Sequence, residues 1–181
     1  MPNYSQLYPN TRVRGLEKVT SNLNKEIMAI TQRTMSGLIK AAAHVRRSTE
    51  DTAPVTPVDL GNLRASWFVV TSNSVPVGQG PTFVGYQASK LTGDHTMTVL
   101  EAQEIIAAKS GTRIKFLMMG YSANYALFVH EMIGAEFKRV KKKKKNGIVK
   151  LLPSGPKWLE TALKRETPRI IQIIRENASI Q

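Results

Sequence analysis

Apolar positions recur at steps of three and four from Leu16 onward, at Leu16, Val19, Leu23, Ile27, Ile30, Leu38, Ala41 and Val45, with Thr34 keeping the spacing and charged or polar residues opposite. This period predicts one long amphipathic helix. Gly37 is tolerated inside it at about 1 kcal/mol relative to alanine. The helix should end before Pro54, because the residue ahead of a proline is pushed out of the helical region. Pro54 and Pro57 then stiffen an extended linker, and Asp59-Leu60-Gly61 reads as a turn. From Ala65 to Thr71 the chain is apolar on both faces through Trp67, Phe68, Val69 and Val70, the pattern of a strand covered on both sides. Arg64, just ahead of it, is expected in a surface ion pair.

The second half alternates more often. Asn73 to Pro81 reads as turn material, Thr82 to Gln87 as a short strand, and Met97 to Lys109 as a helix with Val99, Leu100, Ala102, Ile105 and Ile106 on its apolar side. Gly111 would close that helix. Arg113 to Gly120 reads as a strand, with Ile114, Phe116 and Met118 on one face. Asn124 is expected to cap a short helix carrying Tyr125, Phe128, Val129 and Met132. A strand over Ile148 to Leu152 leads through a Pro153–Pro156 turn to a last helix, which Pro168 should interrupt or kink. The fold class is α+β, an antiparallel β-sheet packed against the long N-terminal helix and the C-terminal helix. Residues 1–15 have no periodicity and read as an extended arm. Tyr4 and Tyr8 either belong to a frayed terminus or lie on a neighbouring subunit as low-entropy contacts. Residues 16–181 read as a single domain with an excursion at about 75–111 and a basic loop at about 138–147.

Composition narrows the function. The 181 residues hold no cysteine, which excludes disulfides, thiolate metal sites and cysteine nucleophiles. No apolar run approaches membrane-spanning length, and the first fifteen residues hold none of signal-peptide length. The net charge of +13 calls for an anionic partner. Lys138, Arg139, Lys141, Lys142, Lys143, Lys144, Lys145 and Lys150 supply eight of those charges with no acid among them, leaving +5 elsewhere. Such a run reads as a sequence-independent contact to the phosphates of double-stranded DNA, as a dock for an acidic protein surface, or as a solvated loop. It carries no aromatic residue for base stacking and little arginine for base-edge readout.

Catalytic chemistry is sparse. His130-Glu131 opens like a zinc-protease motif, but Gly134 stands where the second histidine would fall. Asp94-His95 reads as part of a loop beside Gly93 with no third ligand, and His44 lies one residue off the helical stripe. Gly78-Gln79-Gly80 lacks the helix N-terminus and Lys-Ser/Thr pair of a phosphate loop. Ser66 and Ser154 lack the glycine flanks of a nucleophile elbow. No catalytic, cofactor or metal residues are assigned, and the chain is not expected to be an enzyme.

Three segments carry a resemblance. Thr56-Pro57-Val58-Asp59-Leu60-Gly61-Asn62-Leu63-Arg64-Ala65-Ser66-Trp67 is followed by Tyr125-Ala126-Leu127-Phe128-Val129-His130-Glu131 and then Gly155-Pro156-Lys157-Trp158-Leu159-Glu160. In that order, over roughly residues 16–178, they resemble the neck and tail-completion (head–tail joining, minor structural) proteins of tailed bacteriophages. Leu60 departs from the family's usual threonine, and the excursion and lysine loop are further departures. The resemblance implies a structural virion protein of the head–tail junction, forming or completing a ring of six copies in the neck or tail end. The implied partners are other copies of the chain, adjacent neck, stopper or tail-tube proteins, and double-stranded DNA in the channel, with no membrane. The implied location is the virion, and host cytoplasm during assembly. Asp59, Gly61, Leu63, Arg64, Trp67, Tyr125, Glu131, Pro156 and Trp158 would then be fold and packing positions rather than a reactive centre. The alternative is a sequence-independent nucleic-acid-binding module acting through the lysine loop.

Overall fold

The computed structural model describes residues 16–72, 81–109, 115–143 and 149–179. The first helix, α1, covers Leu16–Asp51 as its periodicity requires and stops ahead of Pro54. After the linker come α2 (Asn62–Ala65) and β1 (Trp67–Thr71). Helix α3 (Ala88–Lys109), β2 (Leu117–Tyr121) and α4 (Ala126–Glu131) follow, then β3 (Val140–Lys143), β4 (Val149–Leu152) and α5 (Trp158–Ala178).

Strands β1 and β2 pair antiparallel, from Trp67 opposite Tyr121 to Thr71 opposite Leu117. The period of two sends Phe68 and Val70 to one side, where they pack with Met118 against Val99, Ala102 and Ile106 of α3. On the other side Trp67 meets the Tyr121 ring edge-on at 5.2 Å. The Tyr121 hydroxyl is in turn 3.0 Å from Thr49 Oγ1 on α1 and 3.1 Å from Thr56 Oγ1 on the linker. The sheet is therefore covered on both faces, as the apolar run of β1 requires.

Helices α1 and α5 run antiparallel. Gly37 meets Ile174 and Asn177, while His44 and Ser48 meet Glu166 further back along α5. Glycine lets the two helices approach closely at position 37, where a Cβ would lie 3.1 Å from the Cα of Ile174. Only the C-terminal part of α1 is covered in this way: burial begins at Met35, and Val19, Leu23 and Ile27 are exposed.

Several expectations are corrected. Helix α3 starts at Ala88, not Met97, so Asp94 and His95 are helical; Thr92, Thr96 and Thr98 bond back to carbonyls four residues earlier. The segment Thr82–Gln87 forms no strand, because Asn62 takes both backbone groups of Val84. The strand expected over Arg113–Gly120 is β2, Leu117–Tyr121. Asn124 does not cap α4, which begins after Tyr125 without a side-chain cap. Pro168 sits on the exposed side of α5, which continues through it. The expected placement of the first and last helices holds: among the described residues α1 and the start of α5 lie on the Tyr121 side of the sheet, and α3 packs on the other. Residues 1–15 with Tyr4 and Tyr8, Gly78–Gly80, Gly111, Arg113, Ile114, Lys144, Lys145 and Ile148 lie outside the described residues.

Candidate functional site

The segment Thr56–Trp67 folds into a tight corner. Gly61 takes a φ of 88°, which an L-side chain resists, and turns the linker into α2. Asn62, buried just after it, accepts from Val84 N at 2.9 Å and donates to Val84 O at 2.8 Å. Its amide thus does for residue 84 what a neighbouring strand would do. Arg64 donates to the Thr56 carbonyl at 3.2 Å rather than entering the expected ion pair, which locks the corner onto its own linker. Ser66 is fully buried; its hydroxyl donates to Leu63 O, and its carbonyl receives Ser122 N at 2.9 Å.

The second and third segments join each other directly. Glu131 pairs with Lys157, and Lys157 N donates to His130 O at 2.8 Å. The Lys157 contact, followed by that of His130, holds the Glu131 carboxyl below its ordinary pKa. The His130 ring stands edge-on to Trp158 at 4.7 Å, and Trp158 meets Tyr121 at 5.9 Å. Trp158, 1% exposed, sits in one cluster with Leu63, Phe83, Leu91, Ala123 and Ala126. The three segments, separated by long stretches of chain, therefore build one core. Just before the third segment, Val55 N donates to Pro153 O at 3.1 Å, tying the linker to the Pro153–Pro156 turn.

Above that core lies a groove of about 530 Å³. The corner residues Pro57 to Leu63 form one wall, Val84 and Tyr86 a second, and Tyr125, Val129 and Glu136 to Lys138 the third. Burial, then the nearby Asp59 charge, raises the Tyr125 hydroxyl above its usual pKa. Asp59 and Glu136 make the lining more acidic than the rest of this basic chain. Leu60, Val84 and Tyr86 are exposed beside it.

The lysine segment leaves the third wall. It was expected as a loop, yet residues 140–143 form β3, which pairs antiparallel with β4. Register sets Val140 opposite the buried Leu152 and Lys142 opposite Lys150. Lys138 and Arg139 precede the hairpin and are exposed.

The histidines are each tied into packing. His44 bonds Glu166, His95 Nδ1 lies 2.7 Å from Ser122 Oγ, and His130 bonds Glu131. Burial lowers the pKa of His95. No group of three or more histidine or acidic residues among those described is placed to hold a metal. Among the described residues, no helix is long and apolar enough to cross a membrane.

Of the positions singled out in the sequence, Asp59, Gly61, Leu63 and Tyr125 line the groove, Trp67 and Trp158 lie in the buried layers, and Glu131 joins the second segment to the third. Pro156 is half-buried in the turn before α5. Asn62 was missed. No sequence signal marks it, because its partner Val84 lies 22 residues away, outside any local turn spacing. Comparison with protein-family models, curated proteins and solved structures returns no match.

Proposed function

We propose that this chain is a structural virion subunit of a tailed bacteriophage, forming or completing a ring at the head–tail junction and acting by geometry rather than catalysis. One observation carries the reading. The three segments that resemble the neck and tail-completion proteins converge on the Leu63–Trp158 core and the Glu131–Lys157 tie, as fold-determining positions would. In this reading a rigid helix–sheet body forms the ring wall through heterologous contacts that close under cyclic symmetry. The groove receives an extended segment of a neighbouring subunit or adjoining ring protein, and the basic hairpin faces DNA or an acidic neighbour. Quantitative mass spectrometry of purified virions tests it. A fixed copy number near six per particle is expected, and absence from purified particles would overturn it.

A second reading, sequence-independent duplex binding by the free chain, is favoured by the hairpin register. Two lysine positions stand directly opposite each other, an arrangement that destabilises an isolated hairpin and is relieved by a bound anion. If all eight basic positions met phosphates, the log–log salt slope would approach about −7.

A further inference from the structure

Helix α1 carries a second regular pattern, on the side away from its apolar stripe. Lys18, Lys25, Arg33, Lys40 and Arg47 follow one another at intervals of seven, eight, seven and seven residues. At 3.6 residues per turn they fall within an arc of about 80°, centred about 120° round the helix from the Val19–Val45 apolar stripe. From Lys18 to Arg47 that arc holds no acid, and Glu26 lies just outside it. The residues between the cations on the arc are Asn22, Ala29, Ser36 and Ala43, all shorter than the side chains they separate.

These cations are not used within the chain as others are. Arg46, off the arc on the same helix, pairs with Glu50, and Lys157, Lys164, Arg165 and Arg169 each pair with an acid. Among the described residues no carboxylate pairs with any of the five on the arc. Lys40 donates to the neutral Asn177 amide oxygen at 2.5 Å, and Arg33 Nε is enclosed without a hydrogen-bond partner. Lys18, Lys25, Lys40 and Arg47 are exposed. The sequence dictates this state, because the positions three and four residues from Lys25, Arg33 and Lys40 hold no acid that could pair along the helix. For Arg47 the nearest acid at that spacing, Glu50, is already bonded to Arg46.

We infer that this face of α1 is a sequence-independent binding surface for double-stranded DNA. At 1.5 Å per residue the five charges span about 44 Å with gaps of about 10–12 Å, a little more than one turn of duplex. A duplex offers about one negative charge per 1.7 Å of its axis, so every cation along a straight rod meets a phosphate. A folded protein surface mixes both signs and would oppose part of the row. Lys40 and Arg47 extend the row to where α5 covers the apolar stripe, so the face does not depend on the apolar contact that a membrane surface supplies. A rod lying across the backbones touches phosphates and leaves base edges unread. The inference rests on the duplex reading above and adds to the hairpin a second, longer surface.

Fluorescence anisotropy of the full chain with a mixed-sequence duplex, repeated between about 50 and 200 mM salt, tests it. One variant combines Lys18→Gln, Lys25→Gln and Arg47→Gln. All three positions are exposed and glutamine matches lysine and arginine as a helix former, so its melting temperature should match the wild type. With three phosphate contacts removed, its log–log salt slope should be shallower by about 2.7. A charge-matched control, Lys90→Gln with Lys164→Gln and Arg169→Gln, should keep the wild-type slope. An unchanged slope in the first variant, or an equal loss in both, would overturn this surface while leaving the duplex reading to the hairpin. A wild-type chain that binds no duplex, or binds polyglutamate as tightly, would overturn both.

Discussion

Glu166 on α5 lies 2.8 Å from His44 Nε2 on α1, and the same carboxylate accepts from Ser48 Oγ at 2.8 Å and from Arg165 Nε at 3.1 Å. Its pKa is held down to about 2, first by the His44 hydrogen bond, then by Ser48 and Arg165. A carboxyl whose folded pKa lies below its ordinary 4.5 adds stability at every pH above that value. The contribution drains away as pH falls from about 4.5 to about 2. Glu166→Gln should cost about 1.5–3 kcal/mol at neutral pH, the range for hydrogen bonds to charged groups. It should also flatten the acid limb of a stability–pH profile measured by urea unfolding.

Gly37 and Gly93 should respond in opposite directions to alanine. A Cβ at position 37 would press on the Ile174 backbone at 3.1 Å and on Asn177 Cβ at 3.2 Å, whereas nothing lies within 4 Å at position 93. Gly37→Ala is expected to destabilise by about 1–3 kcal/mol through overpacking. Gly93→Ala, mid-helix on an exposed surface, should stabilise by about 0.5–1 kcal/mol. Thermal unfolding of the two variants checks both signs.

Lys157 holds a left-handed φ of 56° at the entrance to α5 while pairing with Glu131. A non-glycine residue there carries about 1–2 kcal/mol of steric cost, and an ion pair this exposed to solvent returns little of it. Lys157→Gly should therefore be neutral or stabilising, measured by chemical denaturation. A loss above about 1 kcal/mol would mean that the tie between the second and third segments is stronger than its exposure suggests.

The elements set by side-chain periodicity were legible in the sequence; those held by tertiary contacts were not. The end of α1 and the double coverage of β1 follow from proline geometry and apolar runs alone. The first turns of α3 were hidden because Thr92, Gly93, His95 and Thr96 are weak helix formers, and packing on the sheet overrides them. The hairpin was hidden because a lysine run has low strand propensity; the sequence pattern does not reveal that Val140 pairs with buried Leu152. At the groove, Gly61 and Asp59 announced a turn, but the clasp between Asn62 and Val84 joins positions whose spacing carries no signal.

Replacing Lys138, Arg139 and Lys141 together by glutamate should leave the fold intact, because all three are exposed and surface changes usually stay within about 0.5 kcal/mol each. Circular dichroism and melting temperature should match the wild type, while assembly into particles or DNA retention falls. Unfolding of this variant would count against a peripheral, partner-facing hairpin.

The most direct test of the structural reading is negative-stain imaging of a lysate from a phage carrying a deletion of this gene. The account predicts DNA-filled or emptied heads and separate tails, with joined particles restored by supplying the protein. Intact, infectious virions in the deletion lysate would contradict it.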